Sequence, residues 1–189
     1  MTSFAQLARG AGLMTPDRPI VIPNFELPFV SRSQDDSLHP SEPLFCNREF
    51  GTAADLTLLY FTLPECENCR PSARELGRLR EQVFADVASA PVKLCTRLVV
   101  SDWSTSAEVA QEWTGGGFKG FGGIVWDPNG ALGERLAVVA QPAFYMLDST
   151  GRVLAYQNGP VELDSVGFGY LWRSLSKDCL LYTSDAADE

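Results

Sequence analysis

Leu56 to Arg80 reads LTLLYFTLPECENCRPSARELGRLR, and the fold turns on this stretch. An apolar, β-rich run from Leu56 to Phe61 breaks at Pro64 and meets Cys66-Glu67-Asn68-Cys69. Beyond it Leu76, Leu79 and Val83 recur at helical spacing. The order is strand, turn, CxxC, helix. A cysteine in the first turn of a helix faces unpaired backbone N–H groups and the positive end of the helix dipole, which both favour thiolate over thiol. Such a thiolate can attack a disulfide. The second cysteine, one turn along, can then reach the first and release the attacked partner.

The chain has 189 residues, 45% of them hydrophobic, which is enough for one full core and is the composition of an ordinary soluble globular domain. A formal net charge of −9 and a pI near 4.6 repel phosphate backbones and anionic membrane surfaces. No Lys/Arg cluster relieves this, so nucleic acid is not an expected partner. No apolar run approaches the length of a membrane span, and Met1 to Ile20 has neither a basic start nor an uninterrupted apolar stretch. The expectation is a cytoplasmic monomer.

Residues 179–189, CLLYTSDAADE, continue no pattern from the body of the chain. They look like a translated transposase-end sequencing adapter and are left out of fold reasoning, as a fusion scar would be. Without Asp185, Asp188 and Glu189 the formal charge moves from −9 to −6. Of the five cysteines, Cys179 goes with that tail, leaving Cys46, Cys66, Cys69 and Cys95. One close pair among so few argues against a disulfide framework and for redox or metal chemistry.

Around the central stretch, residues 1–19 form a weakly patterned arm. Ile20 to Val30 suits an edge strand or extended entry segment, and Ser31 to Pro43, with Asp35, Asp36 and the lone His39, reads as a surface loop. Leu56 to Thr62 is nearly continuously apolar and predicts a central strand covered on both faces. A helix follows from Cys69 toward Ala88, with Pro71 tolerated in its first turn. Val92 to Ser101 is a second strand in which Cys95 is expected as a buried, inert thiol. A helix capped by Asp102 or Ser104 and a flexible loop from Gly115 to Gly123 come next. A short strand at Gly123 to Asp127, an Asp127-Pro128-Asn129-Gly130 turn and a brief helix from Ala131 to Val138 lead to a hairpin. Its strands are Ala143 to Leu147 and Val153 to Tyr156. Ser165 to Leu175 closes the chain as a helix.

This order resembles the thioredoxin superfamily and, more narrowly, the TlpA-like thiol-disulfide oxidoreductases of the redoxin group. The stretches that carry the resemblance are LTLLYFTLPECENCRPSARELGRL, IVWDPNGALGERLAVVAQPAFYMLDSTGRVLAYQNG and the insertion between them, together spanning roughly residues 20 to 175. The implied fold is α/β, a thioredoxin-like three-layer sandwich with a central mixed β-sheet flanked by helices. It would occupy 20–178, between the arm at 1–19 and the tail at 179–189. The resemblance makes Cys66 the exposed nucleophile and Cys69 the resolving thiol. It makes Pro142 the cis proline opposite the CxxC, leaving the backbone of Gln141 for an extended substrate segment to pair with.

Two departures bear on the chemistry. Glu65 stands where the family usually has an aromatic residue, and Asn68 where it often has proline. Glu65 and Glu67 disfavour a Cys66 thiolate by like-charge repulsion, whereas Arg70 and the helix terminus favour it, so these three side chains are the candidate modulators of its pKa. If the acids prevail, the protein acts as a reductant. Tyr60 stands six residues before Cys66, where the family often places a buried polar or acidic group.

The leading expectation is a protein dithiol-disulfide oxidoreductase with no bound cofactor. Its partners would be protein substrates and an electron donor. A peroxiredoxin-like peroxidase wants a threonine three residues before its cysteine, but Thr62 lies four before Cys66. Metal binding by Cys66 and Cys69 with Cys46, Cys95 or His39 lacks the second close ligand pair of structural zinc sites. A redox-inactive thioredoxin-like interaction module is the remaining alternative.

Overall fold

The computed structural model describes residues 4–22, 24–32, 38–46, 55–63, 66–86, 94–100 and 124–159. In chain order its elements are α1 (Phe4–Gly10), β1 (Glu26–Arg32), β2 (Leu38–Cys46), β3 (Leu56–Thr62), α2 (Cys69–Asp86), β4 (Leu94–Val100), β5 (Ile124–Trp126), α3 (Ala131–Arg135), β6 (Ala143–Asp148) and β7 (Val153–Asn158). Among the described residues the strands make one mixed sheet in the order β2-β1-β5-β4-β3-β6-β7. β3, β4 and β5 run parallel, while β6 runs antiparallel to β3 and β7 to β6. Every residue of β3 is buried, as an interior strand covered on both faces requires.

Side chains alternate across a strand, so β3 divides its residues between two layers. Leu59 and Phe61 join a core with Val99, Val125, Tyr145 and Leu147, closed by Leu132 and Leu136 from the α3 side. Tyr60 points the other way and meets α2, where Cys69, Ala73 and Leu76 are buried at helical spacing. The exposed side of α2 carries Arg78, whose Nε donates to Glu75 Oε2 at 2.9 Å, and this partner holds the Glu75 carboxyl below its usual range. The expected architecture, a mixed sheet between helical layers, is the one observed.

Of the expected surface loop from Ser31 to Pro43, the described residues 31–32 and 38–43 belong instead to two antiparallel strands. β2 begins at Leu38 and pairs antiparallel with β1, placing His39 opposite Ser31 and Pro40 opposite Val30. Pro40 and Pro43 fit in β2 because it is the outermost strand, where a missing N–H breaks no ladder on the open side. Pro28 within β1 sits beside a register shift between Pro28 and Phe29. The entry strand itself starts at Glu26 rather than Ile20, because Val21 and Ile22 are used elsewhere.

The described part of the weakly patterned arm, residues 4–19, contains α1 and buries Ala8, Ala11 and Leu13, and Ile22 is buried in the entry segment that follows. The segment then runs along the open edge of β7, with bridges from Met14 to Tyr156 and from Val21 to Arg152. The expected helix and glycine-rich loop between Asp102 and Gly123, the closing helix at Ser165 to Leu175 and the tail at 179–189 all lie outside the described residues. Among those described, no helix is long and apolar enough to cross a membrane.

Candidate active site

β3 delivers the chain to one end of the sheet, and the next described turn holds the sulfurs. The N–H of Cys66 donates to the carbonyl of Leu63 at 3.0 Å, folding the chain back at the strand end. Cys66 and Cys69 are joined by a disulfide, with their Cα atoms 5.2 Å apart. Their environments differ. Cys69 is 0% exposed and opens α2, whereas Cys66 remains partly accessible just ahead of the helix.

Cys66 also caps that helix. The Cys69 N–H donates to Cys66 Sγ at 3.2 Å and to the Cys66 carbonyl at 3.1 Å. A side-chain acceptor meeting the N–H three residues on is the geometry of an N-cap, with sulfur in place of the usual hydroxyl or carboxylate oxygen. That N–H and the positive end of an 18-residue helix are groups that favour negative charge on a sulfur placed here. Pro71, two residues into α2, interrupts no internal hydrogen bond there.

Beneath the pair lies Tyr60. It is 1% exposed, and its hydroxyl donates to the Cys69 carbonyl at 3.0 Å. Burial pushes its phenol well above the usual tyrosine range, with Ser72 beside it opposing that shift in part. The group under Cys69 is therefore a neutral hydroxyl at neutral pH. The sequence marked this position only for lacking an acid, and its hydrogen bond to the cysteine needed the fold to become visible.

Opposite the cysteines comes the start of β6. The Gln141–Pro142 peptide bond is cis. Ala143 pairs with Phe61 near the end of β3, so Gln141 and Pro142 sit at the same end of the sheet as the CxxC turn. Among the described residues, neither the main-chain N–H nor the C=O of Gln141 makes a hydrogen bond, and its side-chain Oε1 is buried.

Of the other expected contributors, Glu67 is exposed and Arg70 half-buried next to Cys69, while Glu65 lies outside the described residues. Cys95 is a free thiol and only half-buried. It lies opposite Thr57, near the start of β3, which puts it at the far end of the sheet from Cys66. Cys46 ends β2, four strands from β3, or about 19 Å across the sheet at usual spacing. Neither stands where it could complete a metal set with Cys66 and Cys69. Thr62 is buried, and its hydroxyl donates to the Leu63 carbonyl at 3.3 Å, turned to the backbone and not to a cysteine.

No family model matches the chain, and no curated protein matches it either. Solved structures do. A candidate thiol:disulfide interchange protein DsbE from Chlorobium tepidum superimposes with a TM-score of 0.59 and 17% identity, over 85% of this chain and 98% of that one. The pneumococcal exposed lipoprotein thioredoxin of Streptococcus pneumoniae gives a TM-score of 0.53 at 17% identity, over 82% and 99% of the two chains. A thiol-disulfide oxidoreductase from Bacteroides fragilis gives 0.52 at 17% identity, over 75% and 93%. The chain has the thioredoxin-like fold.

Proposed function

We propose that the chain is a thiol-disulfide oxidoreductase that exchanges disulfides with protein substrates through Cys66 and Cys69, with no bound cofactor. The observation that carries this reading is the asymmetry of the bonded pair, with one sulfur accessible at a helix start and the other sealed beneath it. The likeness to TlpA-like proteins and the fold shared with disulfide exchangers point the same way.

In the reducing direction the Cys66 thiolate attacks one sulfur of a substrate disulfide. A bond forms between Cys66 and that sulfur, and the other substrate sulfur leaves as a thiolate that takes a proton from solvent. Cys69 then loses its proton and attacks Cys66 Sγ. The internal disulfide reforms and the second substrate thiol departs, so that two electrons have passed to the substrate. A dithiol donor reduces the pair again, and in the oxidising direction the same steps run backwards. The main chain of Gln141, beside Pro142, holds the substrate segment next to the sulfurs in extended form. Glu67 and Arg70, with Glu65, set the poise of Cys66 through their charges. One chain holds the complete couple, so a monomer suffices.

The two-step scheme makes a trapping test direct. A Cys69→Ser variant, offered an oxidised protein substrate, accumulates a mixed disulfide whose cross-link maps to Cys66 by mass spectrometry. A cross-link through Cys46 or Cys95, or none at all, contradicts the assignment.

A further inference from the structure

The segment that carries Gln141 and Pro142 is held on both sides by two consecutive residues at the end of β7. On one side the Val139 N–H donates to Asn158 Oδ1 at 3.3 Å. On the other the Gly159 N–H donates to the Pro142 carbonyl at 2.8 Å. Gly159 reaches that carbonyl with a φ of 95°, a left-handed conformation that side-chain-bearing residues rarely adopt. Asn158 is itself fixed. Its Nδ2 donates to the Tyr145 hydroxyl at 3.2 Å, and that hydroxyl donates to the Leu136 carbonyl at 2.8 Å. The Tyr145 ring is wedged against Phe61 and Tyr156, with each pair of ring centroids 5.7 Å apart. Burial raises the phenol above its ordinary range, so it remains a neutral donor and acceptor.

Between these two ties, Gln141 keeps its main-chain N–H and C=O unbonded among the described residues. Val138 packs on the core and its N–H donates to the Gly133 carbonyl at 2.9 Å, so the tie at Val139, which is itself 82% exposed, carries that anchored course toward Gln141. We infer that Asn158, locked by Tyr145, is a positioning residue that fixes the register at which an extended polypeptide pairs with Gln141, and so discriminates protein disulfides from small ones. This rests on the reading of Cys66 and Cys69 as the exchanging pair. A small disulfide needs only the sulfurs, whereas a peptide needs the loop as well.

Two substrates separate the roles. Steady-state rates are measured with insulin as the protein disulfide and with glutathione disulfide as the small one, on wild type, Asn158→Ala, Asn158→Asp and Tyr145→Phe. Asn158→Ala is expected to raise KM for insulin about tenfold, the order carried by a lost anchoring hydrogen bond, with kcat and the glutathione reaction within twofold of wild type. Asn158→Asp keeps the acceptor for the Val139 N–H and recovers part of the loss. Tyr145→Phe, which keeps the packed ring, gives an intermediate KM and serves if Asn158→Ala does not fold. Parallel slowing of both substrates, or no change in either, overturns the inference. Failure of wild type to react with either disulfide overturns the reading of the cysteine pair instead.

Discussion

Tyr60 Oη, donating to the carbonyl of a buried cysteine, is the smallest feature on which the site depends. In Tyr60→Phe the ring still packs but the Cys69 carbonyl loses the phenol as a donor, a loss expected to lower stability by about 1 kcal/mol, read as a fall in the urea midpoint at unchanged slope. The same phenol predicts an alkaline signature. Its folded pKa is raised above the ordinary 10.0, so its contribution is complete below pH 10. It drains away as pH climbs past that value and the unfolded chain ionises first. Urea midpoints measured from pH 8 to 11 should therefore fall more steeply for wild type than for Tyr60→Phe. Cys66 and Cys69 could be chosen from spacing alone, because a strand-to-helix handover restricts where sulfur can sit. Asn158 and Tyr145 could not. Only the paired strands bring Asn158 and Gly159 to Val139 and Pro142.

The elements that read true in the sequence were those whose pattern answered to burial. β3 is nearly continuously apolar, is buried over its whole length and emerged with the expected bounds. The turn at Asp127 to Gly130 was equally readable, with Asn129 and Gly130 both at a φ of 66° as residues tolerant of left-handed backbone. Asp127 proved to be more than a turn residue. It is 1% exposed, and its carboxylate accepts the N–H groups of Leu132 and Gly133 at 3.0 Å, capping α3. Because α3 contributes Leu132 and Leu136 to the core, Asp127→Ala should cost about 2 kcal/mol or more, and Asp127→Asn less, since one acceptor survives. Chemical denaturation of the two variants checks the order. β2 hid itself because its prolines and nearby acids imitate a loop, and edge position, which excuses prolines, is a property of the sheet and not of the segment.

For the molecule as a whole, the thioredoxin-like sheet places the disulfide and the cis proline at one end and leaves β7 with an open edge that residues 4–22 cover. Nothing in that stretch alternates or repeats long enough to announce a strand, since it touches β7 through isolated bridges. Its worth lies in what it buries. Leu13 is 2% exposed, so Leu13→Ala should lower stability by about 2–4 kcal/mol, measurable as a drop in Tm, while leaving the reactivity of the cysteines intact. The single strands and the close cysteine pair thus followed from local pattern and the layered sheet from the resemblance, whereas the hairpin of β1 and β2, the covered edge and the bonds from Asn158 and Gly159 followed from assembly.

The central claim is that Cys66 and Cys69 cycle between disulfide and dithiol while passing electrons to or from other proteins. It is tested most directly by the rate at which dithiothreitol precipitates insulin, followed by turbidity with and without the protein. Wild type is expected to accelerate the reaction at substoichiometric concentration, and Cys66→Ser is expected to abolish the acceleration. A wild-type trace that overlays the dithiothreitol control, or a Cys66→Ser variant as active as wild type, contradicts the account.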